Sequence, residues 1–203
     1  MKKIYTMLGQ QRLNMQYYGD EKGQLYESFK NKVHWSLIVT LHNIIKEKEQ
    51  FKVIVLDSFQ SESSLKNYEL LQEELDQYYK NQYVLEKIDC KGLENNQGQL
   101  KVFKDIYHTF EKEDQLYFDM TFGLKPTPML VMVACNYAYK FVEGISIKKI
   151  FYTLFDFTQD SEYVHKIIDM TSLFYLEQFL QKQSEGNSQD PTRLMNLLFY
   201  QEK

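Results

Sequence analysis

The decapeptide Asp119-Met120-Thr121-Phe122-Gly123-Leu124-Lys125-Pro126-Thr127-Pro128 concentrates the most readable chemistry of the chain. An apolar run, Leu116-Tyr117-Phe118, enters it, and a long apolar pattern of helical period, residues 129–142, leaves it. A strand ending in a carboxylate, a hydroxyl and a lysine sets polar groups at the carboxyl edge of a sheet, where open α/β sheets bind ligands. The helix start beyond it adds free N–H groups and a positive dipole end, which suit an anion such as a phosphate. Pro126 and Pro128 fit the first turn of that helix, where a missing N–H costs little. The same pattern also describes a plain strand-to-helix turn, with Asp119 accepting backbone N–H bonds and Thr121 capping the helix.

Two more polar stretches follow predicted strands. Gly9, Gln10, Gln11, Arg12 and Asn14 follow a strand at 3–8, and Ser58 and Ser61 follow one at 51–56. In a doubly wound sheet such loops gather on one edge. With Thr121, Lys125 and Thr127 they offer two cations and several hydroxyls, which are donors to phosphate, ribose or base edges. A divalent metal would want grouped Asp and Glu, so no metal site is expected, and no cofactor. Each residue also has a plainer assignment: Arg12 and Lys125 as solvated charges, Ser58 and Ser61 as caps of the next helix. No Walker loop, G-x-G-x-x-G, H-E-x-x-H or G-x-S-x-G occurs. His34 and His42 sit amid apolar residues and read as packing or surface groups. Tyr17, Tyr18 and Tyr152 could stack on bases, but among 16 tyrosines they are weak pointers.

The elements that must position these loops alternate along the chain. Strands are expected at 3–8, 15–18, 51–56, 83–88, 116–119 and 147–155. Helices are expected at 28–48 with Ser28 as N-cap, and at 61–79, 99–110 and 129–142, with Gly144 as a C-cap. Leu65, Tyr68, Leu71 and Leu75 form the apolar stripe of the second helix. Val102, Phe103, Ile106 and Phe110 form that of the third. Residues 19–23 have turn chemistry, and residues 24–26 return as a hairpin. Strand followed by helix, repeated about five times, implies an α/β, Rossmann-like doubly wound, mainly parallel sheet with helices on both faces. Beyond it come a helix at 167–181, a loop at 185–191 and a short helix at 192–200. The expected organisation is a ligand-binding domain at 1–158 and a C-terminal helical extension at 159–203.

Bulk properties narrow the class. A chain of 203 residues suffices for one α/β domain with a sizeable core, and a hydrophobic fraction of 43% argues against disorder. A net charge of −4 argues against a duplex-DNA surface. Cys90 and Cys135 form no CxxC pair, which favours a reducing cytoplasm. No run of ~18 apolar residues is present, so no membrane span is expected.

The ordered set of residues resembles one family. Leu116 to Pro128 is similar to the Asp-(Ile/Val)-Thr-His-Gly-(Phe/Leu)-(Arg/Lys)-x-x-Pro signature of CRISPR-associated Rossmann-fold (CARF) sensor proteins. Met7-Leu8-Gly9 with Tyr17-Tyr18 resembles the family's first strand and loop. Val53-Ile54-Val55-Leu56-Asp57-Ser58 with Ser61 resembles its second strand and serine-bearing loop. Lys149-Ile150-Phe151-Tyr152 and Ile168-Asp169-Met170-Thr171 resemble the strand that ends the sensor domain and the segment beyond it.

The resemblance implies a homodimer that binds cyclic oligoadenylate, the messenger of type III CRISPR antiviral defence, with cyclic tetra-adenylate favoured over cyclic hexa-adenylate. Ligand contacts would come from Gly9, Gln10, Gln11, Arg12, Asn14, Ser58 and Ser61, and from Asp119, Thr121, Phe122, Gly123, Lys125 and Pro126. Two departures stand out. Phe122 occupies the usual histidine position. Lys125 replaces the commoner arginine, which keeps the charge and loses the bidentate fork. Many relatives add a ribonuclease domain with R-x(4–6)-H. Neither Arg12 nor Arg193 has a histidine at that spacing, so the chain resembles the sensor alone. Two functions follow: a sensor that passes a signal to a separate effector protein, or a metal-independent ring nuclease that ends the signal. In the second, Lys125 would be the catalytic charge, with Ser58 or Thr121 orienting the ribose. An unrelated nucleotide-binding α/β protein is the third reading.

Overall fold

Strands such as Val53-Ile54-Val55-Leu56 are apolar at successive positions, and all four side chains are buried. A strand covered by helices on both faces reads this way. The computed structural model describes residues 1–156, 158–160 and 162–185. Its strands are β1 (Lys2–Met7), β2 (Tyr17–Gly19), β3 (Phe51–Asp57), β4 (Tyr83–Asp89), β5 (Gln115–Asp119), β6 (Ser146–Leu154) and β7 (Val164–Asp169). Its helices are α1 (Ser36–Ile44), α2 (Glu62–Tyr79), α3 (Asn96–Tyr107), α4 (Pro126–Phe141) and α5 (Thr171–Glu185).

The seven strands form one sheet in the order β2-β7-β6-β5-β1-β3-β4. From β6 to β4 all neighbours run parallel; β7 is antiparallel to β6, and β2 is parallel to β7. The protein is thus an α/β, doubly wound, mostly parallel fold. Among the parallel strands, β3 and β4 lie on one side of β1, and β5 and β6 lie on the other. The carboxyl ends of β1 and β5 therefore flank the point where the winding reverses, which is where such sheets open a crevice.

Alternation divides the core between the two faces of β1. Ile4 joins Val53, Val55, Trp35, Leu37, Leu71 and Leu75 in one buried cluster. On the other face Tyr5 stacks on Phe118 at 4.8 Å and meets Phe110 edge-on at 5.6 Å. Two compact units are distinguished: Met1–Asp169, which holds the whole sheet and α1–α4, and Met170–Lys203, whose described element is α5. The first unit takes in β7, which the expected boundary at 158 left outside.

Several expected elements differ. The helix expected at 28–48 begins only at Ser36, because the backbone before it is bonded elsewhere. Val33 forms an antiparallel bridge with Gln16, and the N–H groups of His34 and Trp35 donate to the Glu74 carboxylate at 2.6 and 3.1 Å. Glu74 on α2 thereby caps α1, and the Ser28 hydroxyl donates to the Asn43 side chain instead. The expected hairpin reduces to a single Gly19–Leu25 bridge, since β2 gives its ladder to β7. The helix expected to start at 167 is strand up to Asp169. Ile167 pairs with Thr153 across the antiparallel ladder, and a short apolar run does not reveal its period. Leu65 is 51% exposed, off the stripe kept by Leu71 and Leu75. The helix expected at 192–200 lies outside the described residues. Among the described residues no helix is long and apolar enough to cross a membrane.

Candidate functional site

A cavity of about 570 Å³ opens at the winding reversal. The segment after β1 supplies Gly9 to Asn14, Gln16 and Tyr18, and the segment after β5 supplies Thr121, Phe122 and Gly123. The end of β6 and the turn beyond it add Tyr152, Phe155, Asp156 and Gln159. His165 from β7 and Phe59 complete the lining.

The first loop is held in shape by a side chain from α2. Asn67 is fully buried, and its amide donates to the Gly9 and Gln11 carbonyls at 2.9 and 2.8 Å. Its own oxygen accepts the Leu13 N–H at 3.3 Å, which fixes the amide orientation. Gly9 also lets a ring approach: a Cβ there would sit 3.1 Å from Phe122. Phe122 packs edge-on to Trp35 and against Phe155, both with centroids at 5.6 Å. At the histidine position of the resembled signature the side chain is therefore a wall of the cavity. Gly123 has φ +96, and a Cβ there would meet Met7 Sδ at 2.8 Å. Only glycine turns the chain here without strain.

Beneath the cavity lies a buried chain of hydroxyls. Asp119, 1% exposed, accepts the Thr121 N–H at 3.0 Å, the Thr6 hydroxyl at 3.0 Å and the Thr121 hydroxyl. Thr121 Oγ1 in turn accepts the Thr153 N–H at 3.0 Å, and the Thr153 hydroxyl donates to Ser36 Oγ at 2.7 Å. Burial pushes the Asp119 carboxyl up to about 6, against these hydrogen bonds, which pull it down. The pair Asp119–Thr121 thus ties β5 to β1, β6 and the start of α1.

The walls are aromatic. Tyr18, Phe155 and His165 form a contact group with centroid distances of 5.1 to 6.0 Å. The Tyr18 hydroxyl donates to the His34 carbonyl at 3.0 Å. Burial lowers the His165 imidazole below its ordinary value, and Nδ1 accepts the Asp156 N–H at 3.3 Å. In the neutral ring Nε2 then carries the proton, so His165 offers a donor. Asp156 accepts from the Thr158 N–H and hydroxyl and from the Gln159 amide, bonds that hold it low and ionised. Arg12 is the cation on the lining.

The structure brings together eight of the expected residues: Gly9, Gln10, Gln11, Arg12, Asn14, Thr121, Phe122 and Gly123. The other five lie off the lining. Ser58 accepts the Leu124 N–H at 3.1 Å and so joins the second loop to the motif. Ser61 is the N-cap of α2, in a reciprocal capping box with Ser64. Asp119 is buried below. Lys125 is exposed at the N-cap of α4, and Pro126 fills that helix's first position. Sequence reasoning missed Gln16, Phe59, Phe155, Asp156, Gln159 and His165, and it named Tyr18 and Tyr152 only as weak pointers. The alternating Val164-His165-Lys166-Ile167 is the one signal that could have revealed β7. Among the described residues no three metal-ligating side chains cluster. No protein-family model matches the chain, and no curated protein matches it in sequence.

Proposed function

We propose that this cavity binds cyclic oligoadenylate and that the chain is a sensor in type III CRISPR antiviral defence. One observation carries the reading: the loop after β1 and the Asp119–Pro128 motif, two of the stretches that resemble the family, meet in one cavity at the winding reversal. The chemistry of the lining supports it. Aromatic faces suit adenine stacking, and the Arg12 guanidinium suits phosphate. The volume lies in the range of small-molecule sites. A ring of adenylates has rotational symmetry, so two copies of the chain related by a two-fold axis would present the same loops twice. The bound ring would then act on a separate effector protein.

Binding without cleavage is favoured over a ring nuclease by the state of the polar groups. The Thr121 hydroxyl is committed to Asp119, and the acceptor nitrogen of His165 is committed to Asp156. Asp156 is tied to its own turn, and Lys125 stands off the lining. Each of these described groups is thus engaged within the fold or stands off the lining, where a general base must lie within hydrogen-bond reach of the ribose. The test is incubation with cyclic tetra-adenylate and cyclic hexa-adenylate in EDTA, followed by chromatography. An intact ring that co-elutes with the protein supports the sensor. Linear products with 2′,3′-cyclic phosphate ends would make it a ring nuclease. An intact, unbound ring would overturn the family reading.

A further inference from the structure

Gln16 lines the cavity and carries a buried polar atom with no protein partner. Its main chain is fixed: the N–H donates to the Val33 carbonyl at 2.9 Å, and its carbonyl accepts the Val33 N–H at 3.1 Å. Its side chain lines the cavity, yet Oε1 is buried and receives no hydrogen bond from the protein. Two hydroxyls of the lining have no proton for it. The Tyr18 hydroxyl is spent on the His34 carbonyl and the Thr121 hydroxyl on Asp119. A buried acceptor left unpaired costs its full desolvation, so folded proteins leave few of them, and one on a side chain that lines a cavity can turn to a donor on a ligand.

We infer that the Gln16 carboxamide reads the base of the bound nucleotide. Oε1 accepts a proton from the exocyclic amino group of adenine, and Nε2 donates to the adjacent ring nitrogen. The inference rests on the adenylate reading of the cavity and adds its specificity group. Adenine presents an amino donor beside a nitrogen acceptor, the pattern that a carboxamide meets with two hydrogen bonds. The aromatic walls hold any base by its face. Gln16 supplies the edge contact that they lack. A site built to bond a ligand N–H discriminates strongly against the analogue without it, because its own acceptor is then left bare.

The test pairs a change in the protein with a change in the ligand. Calorimetric affinities are measured for cyclic tetra-adenylate and for the same ring built from purine riboside, which has hydrogen in place of the amino group. The wild-type protein is expected to prefer the adenylate ring by about tenfold or more. Gln16→Leu and Gln16→Met are expected to bind the two rings alike. If both variants keep the wild-type preference, Gln16 is not the reader, and the messenger-binding reading stands without it. If the wild-type protein binds neither ring, both fall together. Thermal unfolding supplies a second readout: removing an unpartnered acceptor should leave Tm unchanged or raised in both variants. A drop of more than about 5 °C in both would mean that the amide is bonded within the fold, which also overturns the inference.

Discussion

The Asn67 side chain holds the Gly9 carbonyl at 2.9 Å, and through it a helix on one face of the sheet sets the shape of the loop after the central strand. The same amide holds Gln11, and its oxygen takes the Leu13 N–H. Three backbone groups of the loop thus depend on one buried side chain. Asn67→Ala would leave them unpaired in a buried place, at a cost of about 3 kcal/mol. Urea denaturation should show a lower midpoint with an unchanged slope, and affinity for cyclic tetra-adenylate should fall with it. A variant with wild-type affinity would show that the loop keeps its shape without the clamp.

Gly123→Ala tests the turn of the motif. The residue has φ +96, and the added carbon would press on Met7. Left-handed strain and the contact together should cost about 1–3 kcal/mol. Because the turn carries Phe122 and Thr121 into the cavity, ligand affinity should fall beyond what stability predicts. A thermal unfolding curve that matches wild type would mean the turn relaxes freely.

Asp119 makes stability depend on pH. Its folded carboxyl titrates at about 6, above the ordinary value near ~3.9. Between those values the folded chain holds a proton that the unfolded chain has lost. Its contribution therefore favours folding on the acid side and weakens as pH rises toward 6, after which it is constant. Asp119→Asn removes the titration and keeps an oxygen for the Thr121 N–H. Relative to that variant, wild type should lose on the order of 2 kcal/mol between pH 4 and pH 7. Denaturant midpoints at pH 4, 5, 6 and 7 would reveal it, and parallel profiles for the two proteins would refute it.

Arg12 and Lys125 should not be equivalent. Arg12 lines the cavity, whereas Lys125 is exposed at the start of α4 and off the lining. Arg12→Ala should weaken binding of cyclic tetra-adenylate by about tenfold, an effect that shrinks as salt is raised. Lys125→Ala should cost less than about threefold, in the range of an exposed ion pair. The reverse order would move the phosphates from the cavity to the helix start.

Local chemistry was legible in the sequence where it is local in space. The Asp119–Pro128 motif stands as a strand, a turn and a helix start, with both prolines in the first turn. Ser61 caps α2, as its position before the polar helix implied. What escaped depends on distant partners. Asn67 reads as one more polar residue on a polar helix until the loop folds over it. Glu74 caps a helix from another helix, so the start of α1 could not be placed from the residues preceding it. His165 and Phe155 reach the cavity through an antiparallel ladder between β6 and β7, a pairing that no short-range pattern announces. Two aromatic side chains of the lining were hidden for that reason.

The sheet order has one more consequence. β1 ends at Met7 and β2 begins at Tyr17, yet β5, β6 and β7 lie between them. The nine residues from Leu8 to Gln16 therefore act as a strap across the strand ends, with both anchors stitched into the same sheet. Four strand spacings are about 19 Å, while nine residues at full stretch reach about 30 Å. The slack between those lengths lets the strap bow outward and leave room beneath it. Trimming three residues would draw it nearly taut and close that room without touching any residue that bears charge on the opposite wall. The capacity of the cavity is thus metered by a count of residues in one connection, a quantity that insertions and deletions can retune while the strands beneath stay in register.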